Sequence, residues 1–290
     1  MESQIIEKAV FYAFVFVLGF VAVSFVAFWL VVRPPRIEIA GTPERYRLPA
    51  ENVTIETADG VALAGWFIPR ADGRADVPAV ILLHGYPAEK ADMLEIAAAL
   101  HPQFVTLLLD LRYFGKSEGR ATTLGIRERD DLKAAVDFLE ARGAASVGVF
   151  GFSLGGAVGI LAAAEDERIR AVAAYAPFSD LRNLGHEAYG RLWLLKYPLV
   201  ELMIFWAELF FGGDVVSPSP ADAASELSVP ALLVASREDE QISFRHAERL
   251  RVALEQNPRA EFYFLEAGRH GELPPDFDAR LAGFFERVLH

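Results

Sequence analysis

The segment Gly151-Phe152-Ser153-Leu154-Gly155-Gly156 carries the clearest chemical meaning in this chain. It follows an apolar run at residues 147–150 and opens a run of small residues, AVGILAAA. A G-x-S-x-G sequence between a strand and a helix is a nucleophile elbow. Such a turn strains the serine backbone, and side chains at Gly151 or Gly155 would collide with neighbouring elements. The Ser153 oxygen then projects from the carboxyl edge of a sheet. It sits at a helix amino terminus, whose N–H groups favour negative charge. The competing reading is a glycine-rich nucleotide loop. It fails on context, because this strand is the third of the parallel run and no acidic residue closes the next strand to hold a ribose.

A serine needs a base, and the base needs an orienting acid. The order expected for this elbow is Ser, then Asp or Glu, then His. After the apolar run 231–235 stands Ser236-Arg237-Glu238-Asp239-Glu240-Gln241-Ile242. After the run 261–265 stands Glu266-Ala267-Gly268-Arg269-His270-Gly271. His270 is the expected base and Asp239 the expected acid. Glu238, Glu240 and the earlier Asp180 are its alternatives. For the oxyanion hole the expected donors are the N–H of Leu154 and the N–H of Tyr86, in Leu83-His84-Gly85-Tyr86-Pro87. Each such donor is worth about 10²–10³ in rate. His84 is read as a structural brace for that loop.

These residues need a scaffold that brings strand ends together. Residues 52–69 read as a hairpin turning at Asp59-Gly60. Short apolar runs follow at 79–83, 104–109, 147–150, 169–175, 231–235 and 261–265. They lack two-fold alternation, as strands covered on both faces do. Helical patterns such as 126–141 and 244–255 lie between them. Alternating β and α predicts an α/β fold with a mostly parallel central sheet flanked by helices. Between 176 and 230 the alternation breaks. The insert contains RLWLLKYPLVELMIFWAELFFGG, with Pro198 as its expected break. It is read as a helical cap over about 178–228, against the plainer reading of a two-helix excursion on the core. Its recurring charges argue against a second membrane span.

Residues 9–32 hold no charge. At about 1.5 Å per residue they reach roughly 36 Å, enough for a hydrocarbon core of about 30 Å. The chain therefore divides into a short tail at 1–8, a transmembrane helix at 9–32, a juxtamembrane linker at 33–50 and a catalytic domain at 51–290. A cleaved signal peptide would want a basic start and a shorter apolar stretch. Here Glu2 and Glu7 stand against one Lys. Arg33, Arg36, Arg45 and Arg47 follow the helix and only Lys8 precedes it, which predicts a single-pass protein with its domain on the cytoplasmic side. Ala9 and Ala13, four apart, are compatible with homodimerisation through the anchor.

Composition excludes several classes. With no cysteine there are no disulfides, thiol nucleophiles, thiolate zinc sites or iron–sulfur clusters. The 28 basic against 40 acidic side chains, a net charge of −12, argue against nucleic acid as a partner.

Together these motifs resemble the α/β-hydrolase-fold serine hydrolases, over roughly residues 50–290. The resemblance rests on HGY at the oxyanion loop, on GFSLGG, on Asp239 and His270 in order, and on Asp110-Leu111-Arg112-Tyr113-Phe114-Gly115-Lys116-Ser117-Glu118-Gly119. That last segment is similar to the family's D-x-R-G-x-G-x-S-x-G loop, with Tyr113 where many members have glycine, a change expected to reshape the pocket wall. The subgroup it most resembles holds membrane-anchored esterases and lipases and serine-aminopeptidase-like or prolyl-oligopeptidase-like hydrolases. The resemblance implies acyl transfer through an acyl-enzyme, without metal or organic cofactor. A carboxylic ester hydrolase acting on apolar acyl esters, of lysophospholipid or monoacylglycerol type, is the first expectation. A peptidase or amidase gripping a peptide terminus through Glu187, Glu201 or Glu208 is the second, and a non-catalytic membrane scaffold the third.

Overall fold

The computed structural model describes residues 2–74 and 76–289. The chain opens with α1 (Glu2–Val32), long and apolar enough to cross a membrane. Residues 2–8, expected as a tail, form its first turns instead. Glu2 stands at the positive end of the helix dipole, and Ser3 Oγ donates to Glu7 at 3.0 Å. From Glu2 to Gly19 every side chain of α1 is exposed. Beyond that, Ser24, Phe28 and Val32 recur every four residues as a buried stripe.

The hairpin forms as β1 (Glu51–Glu56) and β2 (Ala62–Ile68), with Gly60 at φ +77° in the turn. Then follow β3 (Ala79–Leu83), α2 (Leu94–Leu100), β4 (Val105–Leu109), α3 (Glu128–Ala141), β5 (Val147–Phe152), α4 (Leu154–Glu165) and β6 (Ile169–Tyr175). The insert contributes α5 (Leu181–Ala188), a 3₁₀ turn at Gly190–Leu195, α6 (Lys196–Phe211) and α7 (Pro220–Glu226). β7 (Ala231–Ser236), α8 (Phe244–Ala253), β8 (Ala260–Leu265) and α9 (Phe277–Leu289) complete the fold. The sheet runs β1-β2-β4-β3-β5-β6-β7-β8 and is parallel from β4 to β8.

Every residue of β3, β4 and β7 is buried. Pleating sends Ile81 and Leu83 into a core shared with α3, α4, α7 and α8, and Val80 and Leu82 into one shared with α2 and α9. The sheet is thus covered on both faces. β8 departs from the doubly covered strand expected there. It is the outer strand, paired on one side only, and Phe262 is 41% exposed.

The insert divides. Ala223 and Ala224 of α7 are buried in the main core, whereas α5 and α6 stand over the strand ends. Pro198 does not break a helix. It lies in the first turn of α6, where a missing N–H costs nothing. The irregular residue is Trp193, at φ 50° within the preceding turn.

Two buried carboxylates fix the loops beneath the cap. Glu128, wholly buried, accepts from Thr122 Oγ1 at 2.6 Å, Thr123 N at 2.8 Å, Thr123 Oγ1 at 2.5 Å and Gly125 N at 2.9 Å. Asp131 takes both Nε and Nη2 of Arg112, whose fork also reaches Asp59 at 2.9 Å and 3.2 Å. The Arg112 hydrogen bonds, with one from Thr57, hold the Asp59 carboxyl down at about 2.

Replacing Glu128 by Ala strands those buried donors and should lower stability by about 3 kcal/mol, read by urea denaturation in detergent; an unchanged midpoint would refute this account of the loop. Asp59 contributes stability that is complete above its ordinary pKa of about 4 and is lost as pH falls through about 2. The stability difference between wild type and Asp59→Asn should therefore shrink from pH 5 to pH 2. A difference that stays constant with pH contradicts it.

Candidate active site

Ser153 joins β5 to α4 with φ 50° and ψ −111°, a conformation side-chain-bearing residues avoid. Its surroundings impose that conformation. A Cβ on Gly151 would lie 2.2 Å from the Gly155 carbonyl, and one on Gly155 would lie 2.5 Å from Leu83 O. The Ser153 N–H donates to Tyr175 O at 2.8 Å, tying the turn to β6. Leu154 opens α4, so its N–H is among those a helix leaves without an internal partner.

The loop after β3 passes directly beside Ser153. A Cβ on Gly85 would lie 2.9 Å from the Phe152 ring and 3.3 Å from Ser153 Cβ. Tyr86, the next residue, lines the same cavity as Ser153 and Leu154. His84 braces this loop. Its Nε2 accepts from Leu111 N at 3.0 Å, so its Nδ1 carries the proton and donates to Gly85 O at 2.7 Å. Full burial pushes its pKa down, which keeps the ring neutral. Asp110 braces the far end of the loop. It takes Lys90 N at 2.7 Å, Lys90 Nζ at 2.5 Å and Lys116 N at 2.9 Å, and the Asp110 and Lys90 side chains are both buried.

His270 and Asp239 come together from the loops after β8 and β7. His270 Nδ1 lies 2.7 Å from Asp239 Oδ2, and both side chains are almost wholly buried. The other Asp239 oxygen accepts from Gln241 N and Ile242 N, each at 2.8 Å. Glu240 holds the histidine loop through its backbone, accepting from His270 N at 3.1 Å. The imidazole packs on Phe152, with ring centres 4.7 Å apart, which sets it next to the elbow. Among the described residues no hydrogen bond yet joins it to Ser153. Asp180 is engaged elsewhere. It caps α5 through Asn183 N at 2.7 Å and meets Arg249 at 3.2 Å. Among the described residues no cluster of three or more His, Asp or Glu could hold a metal.

Ser153 opens into a cavity of about 350 Å³ under α5 and α6. Its walls include Leu181, Leu184, Val200, Met203 and Ile204 from the cap, and among the described residues no charged side chain lines it. Phe28, Val31 and Val32 of α1 complete the wall. This contribution was not anticipated. Its trace in the sequence is Ser24, the one serine in the uncharged stretch 9–32, which accepts from Trp206 Nε1 of α6 at 3.0 Å. Around that bond Phe25 and Phe28 pack against Trp206, Phe210 and Phe211.

The exit from α1 is equally fixed. Tyr86 OH donates to Val31 O at 2.8 Å, Thr122 N to Val32 O at 3.0 Å, and Tyr113 OH to Pro34 O at 2.7 Å. Burial pushes the Tyr86 phenol up to about 12, so it stays a donor. Tyr113 does not reshape the cavity wall as expected. It adopts φ 74°, the conformation a glycine would favour there, and sends its ring to the chain leaving α1.

Comparison with known proteins agrees with this architecture. Residues 78–212 match the family described as alpha/beta hydrolase fold. An uncharacterized protein of Mycobacterium tuberculosis is 34% identical over 164 residues, which is 53% of this chain and 57% of that protein's length. The Pyrococcus furiosus esterase Pf2001 superposes with a TM-score of 0.72 at 25% identity, over 90% of this chain and 99% of that one. A puromycin-hydrolyzing peptidase of M. tuberculosis gives 0.66 at 18% identity, over 84% of this chain and 40% of that one. The sheet order, the elbow and these matches lead to one assignment: the chain adopts the α/β-hydrolase fold.

Proposed function

We propose that this chain is a membrane-anchored serine hydrolase that cleaves carboxylic esters of apolar acyl groups, of lysophospholipid or monoacylglycerol type. The uncharged, apolar cavity at Ser153 is the observation that carries this reading. An acyl chain gains about 25 cal/mol per Å² of apolar surface it buries there, whereas a charged group would lose its hydration without a partner.

In this reading His270 Nε2 takes the Ser153 proton as Oγ bonds to the ester carbonyl carbon. The carbonyl oxygen becomes an oxyanion, held by the Leu154 and Tyr86 N–H groups. Collapse breaks the bond to the alcohol oxygen, which takes the proton from His270. Water, deprotonated by His270, then repeats the sequence on the acyl-enzyme and releases the acid. Asp239 keeps Nδ1 protonated and the ring in register. α1 is read as a retained anchor, with the hydrolase domain on the cytoplasmic side as its flanking arginines imply.

The amidase alternative draws on the peptidase of the same fold, a likeness that concerns the fold alone. The acids offered for gripping a peptide terminus do not line the cavity. Glu201 pairs with Arg182 at 3.2 Å, and Glu187 lies 3.2 Å from the buried His246.

Purified full-length protein in detergent should hydrolyse p-nitrophenyl esters, and Ser153→Ala should lower kcat by about 10⁶-fold. Asp239→Asn should cost about 10⁴-fold, the effect of losing the histidine's tautomer. Wild-type inactivity across acyl chain lengths, with the protein folded, would sink the ester reading. Turnover of aminoacyl amides above that of esters would transfer the assignment to the amidase.

A further inference from the structure

We infer that the cap is itself a membrane-embedded element: α6 and the turn before it lie in the same leaflet that α1 enters, as a second, non-spanning attachment. This rests on reading α1 as an anchor. The argument begins with length. The uncharged stretch of α1 runs from Ala9 to Val32, but residues 24–32 are docked on the domain. Residues 9–23 alone measure about 22 Å, against a hydrocarbon core of about 30 Å, and any tilt lengthens the path required. The core must therefore extend about 8 Å into the docked stretch, close to Phe28. At that depth α1 is held by α6. Trp206 bonds Ser24, and its ring stands edge-on to Phe25 at 5.3 Å. A helix buried by roughly 5–10 Å is what an interfacial attachment looks like.

The outer surface of the cap has the matching chemistry. Phe205, Leu209 and Phe210 are exposed on α6, and Leu192–Leu195 are exposed ahead of it, Trp193 by 77%. An apolar surface of this extent is unusual facing water, and exposed Trp and Tyr favour the headgroup level. Lys196 Nζ stands 5.2 Å over the Tyr197 ring, which puts a cation beside this apolar surface. Two acids share this face of α6: Glu201 pairs with Arg182 at 3.2 Å, and Glu208, half-buried, stands two turns further on, a place the headgroup level tolerates and the hydrocarbon centre does not. The polar atoms at the contact are closed on themselves, Trp206 Nε1 to Ser24 Oγ and Ser24 Oγ to Val21 O at 2.7 Å, as a hydrocarbon setting demands. Phe28 and Ile204, Ala207 and Phe211 also line the cavity, so its walls share the depth of the lipid acyl chains.

The absence of cysteine makes the test direct. Val17→Cys, Leu194→Cys, Leu209→Cys and Val252→Cys are each labelled with an environment-sensitive fluorophore in the full-length protein. Each is reconstituted into phosphatidylcholine–phosphatidylglycerol vesicles carrying spin-labelled lipids. The Val17 probe should be quenched by deep labels and the Leu194 and Leu209 probes by shallow ones, while Val252, exposed on α8, keeps its fluorescence. Quenching at Val17 with none at Leu194 and Leu209 would overturn the embedded cap and leave the anchor standing. No quenching at Val17 would overturn the anchor and the cap proposal with it. Equal quenching at all four would show the whole domain lying on the bilayer, which also overturns a cap-specific attachment.

Discussion

A serine held at φ 50° is the constraint on which the site depends. No local preference supports that conformation, so the surrounding packing must impose it. It is imposed by backbone approaching backbone at Gly151 and Gly155, a fit that holds only if β5, α4 and the end of β3 lie at fixed separations. Those separations come from the sheet. β5 is flanked by β3 and β6, and α4 packs on both β5 and β6. The strained turn and the buried core are thus one piece of construction. The core supplies the energy that the turn consumes, and the turn presents an oxygen and an amide on the same side of the sheet.

The remaining parts are positioned by buried polar bonds rather than by regular structure. His84 and Asp110 fix the loop that carries Tyr86 at both ends. Glu128 fixes the loop under the cap, and Asp239 gathers two backbone amides and the His270 ring on one carboxylate. Each sits where water is excluded. There a made hydrogen bond holds geometry firmly and a missing one is expensive. Loops ordered in this way can approach a reactive centre with the fidelity of helices and strands.

Much of this was legible in the chain itself, and for identifiable reasons. The elbow is local, six residues whose glycines have a steric cause, so GFSLGG could be read without coordinates. Asp239 and His270 were legible because each directly follows an apolar strand. Buried runs such as 79–83 read correctly from composition alone. The same composition misled at 261–265, since an edge strand can be as apolar as a central one and only its neighbours distinguish them. The part played by α1 was illegible for a related reason. An apolar helix suits lipid and protein equally, and hydropathy cannot say where along its length one gives way to the other. Only Ser24 marked the change, and one hydroxyl is a faint signal. Tyr113 was misread because its effect runs 79 positions back along the chain, to Pro34.

The chain leaving α1 has no slack. Val31, Val32 and Pro34 each give a carbonyl to the domain, and Arg36 gives its guanidinium to Gly115 O at 3.2 Å. A tethered enzyme on a loose linker can swivel and explore a hemisphere of solvent. Here rotation of the helix is rotation of the domain. With α1 as the anchor proposed above, these bonds would hold the domain at a single height over the bilayer, and its search for substrate would lose its vertical dimension and become lateral drift.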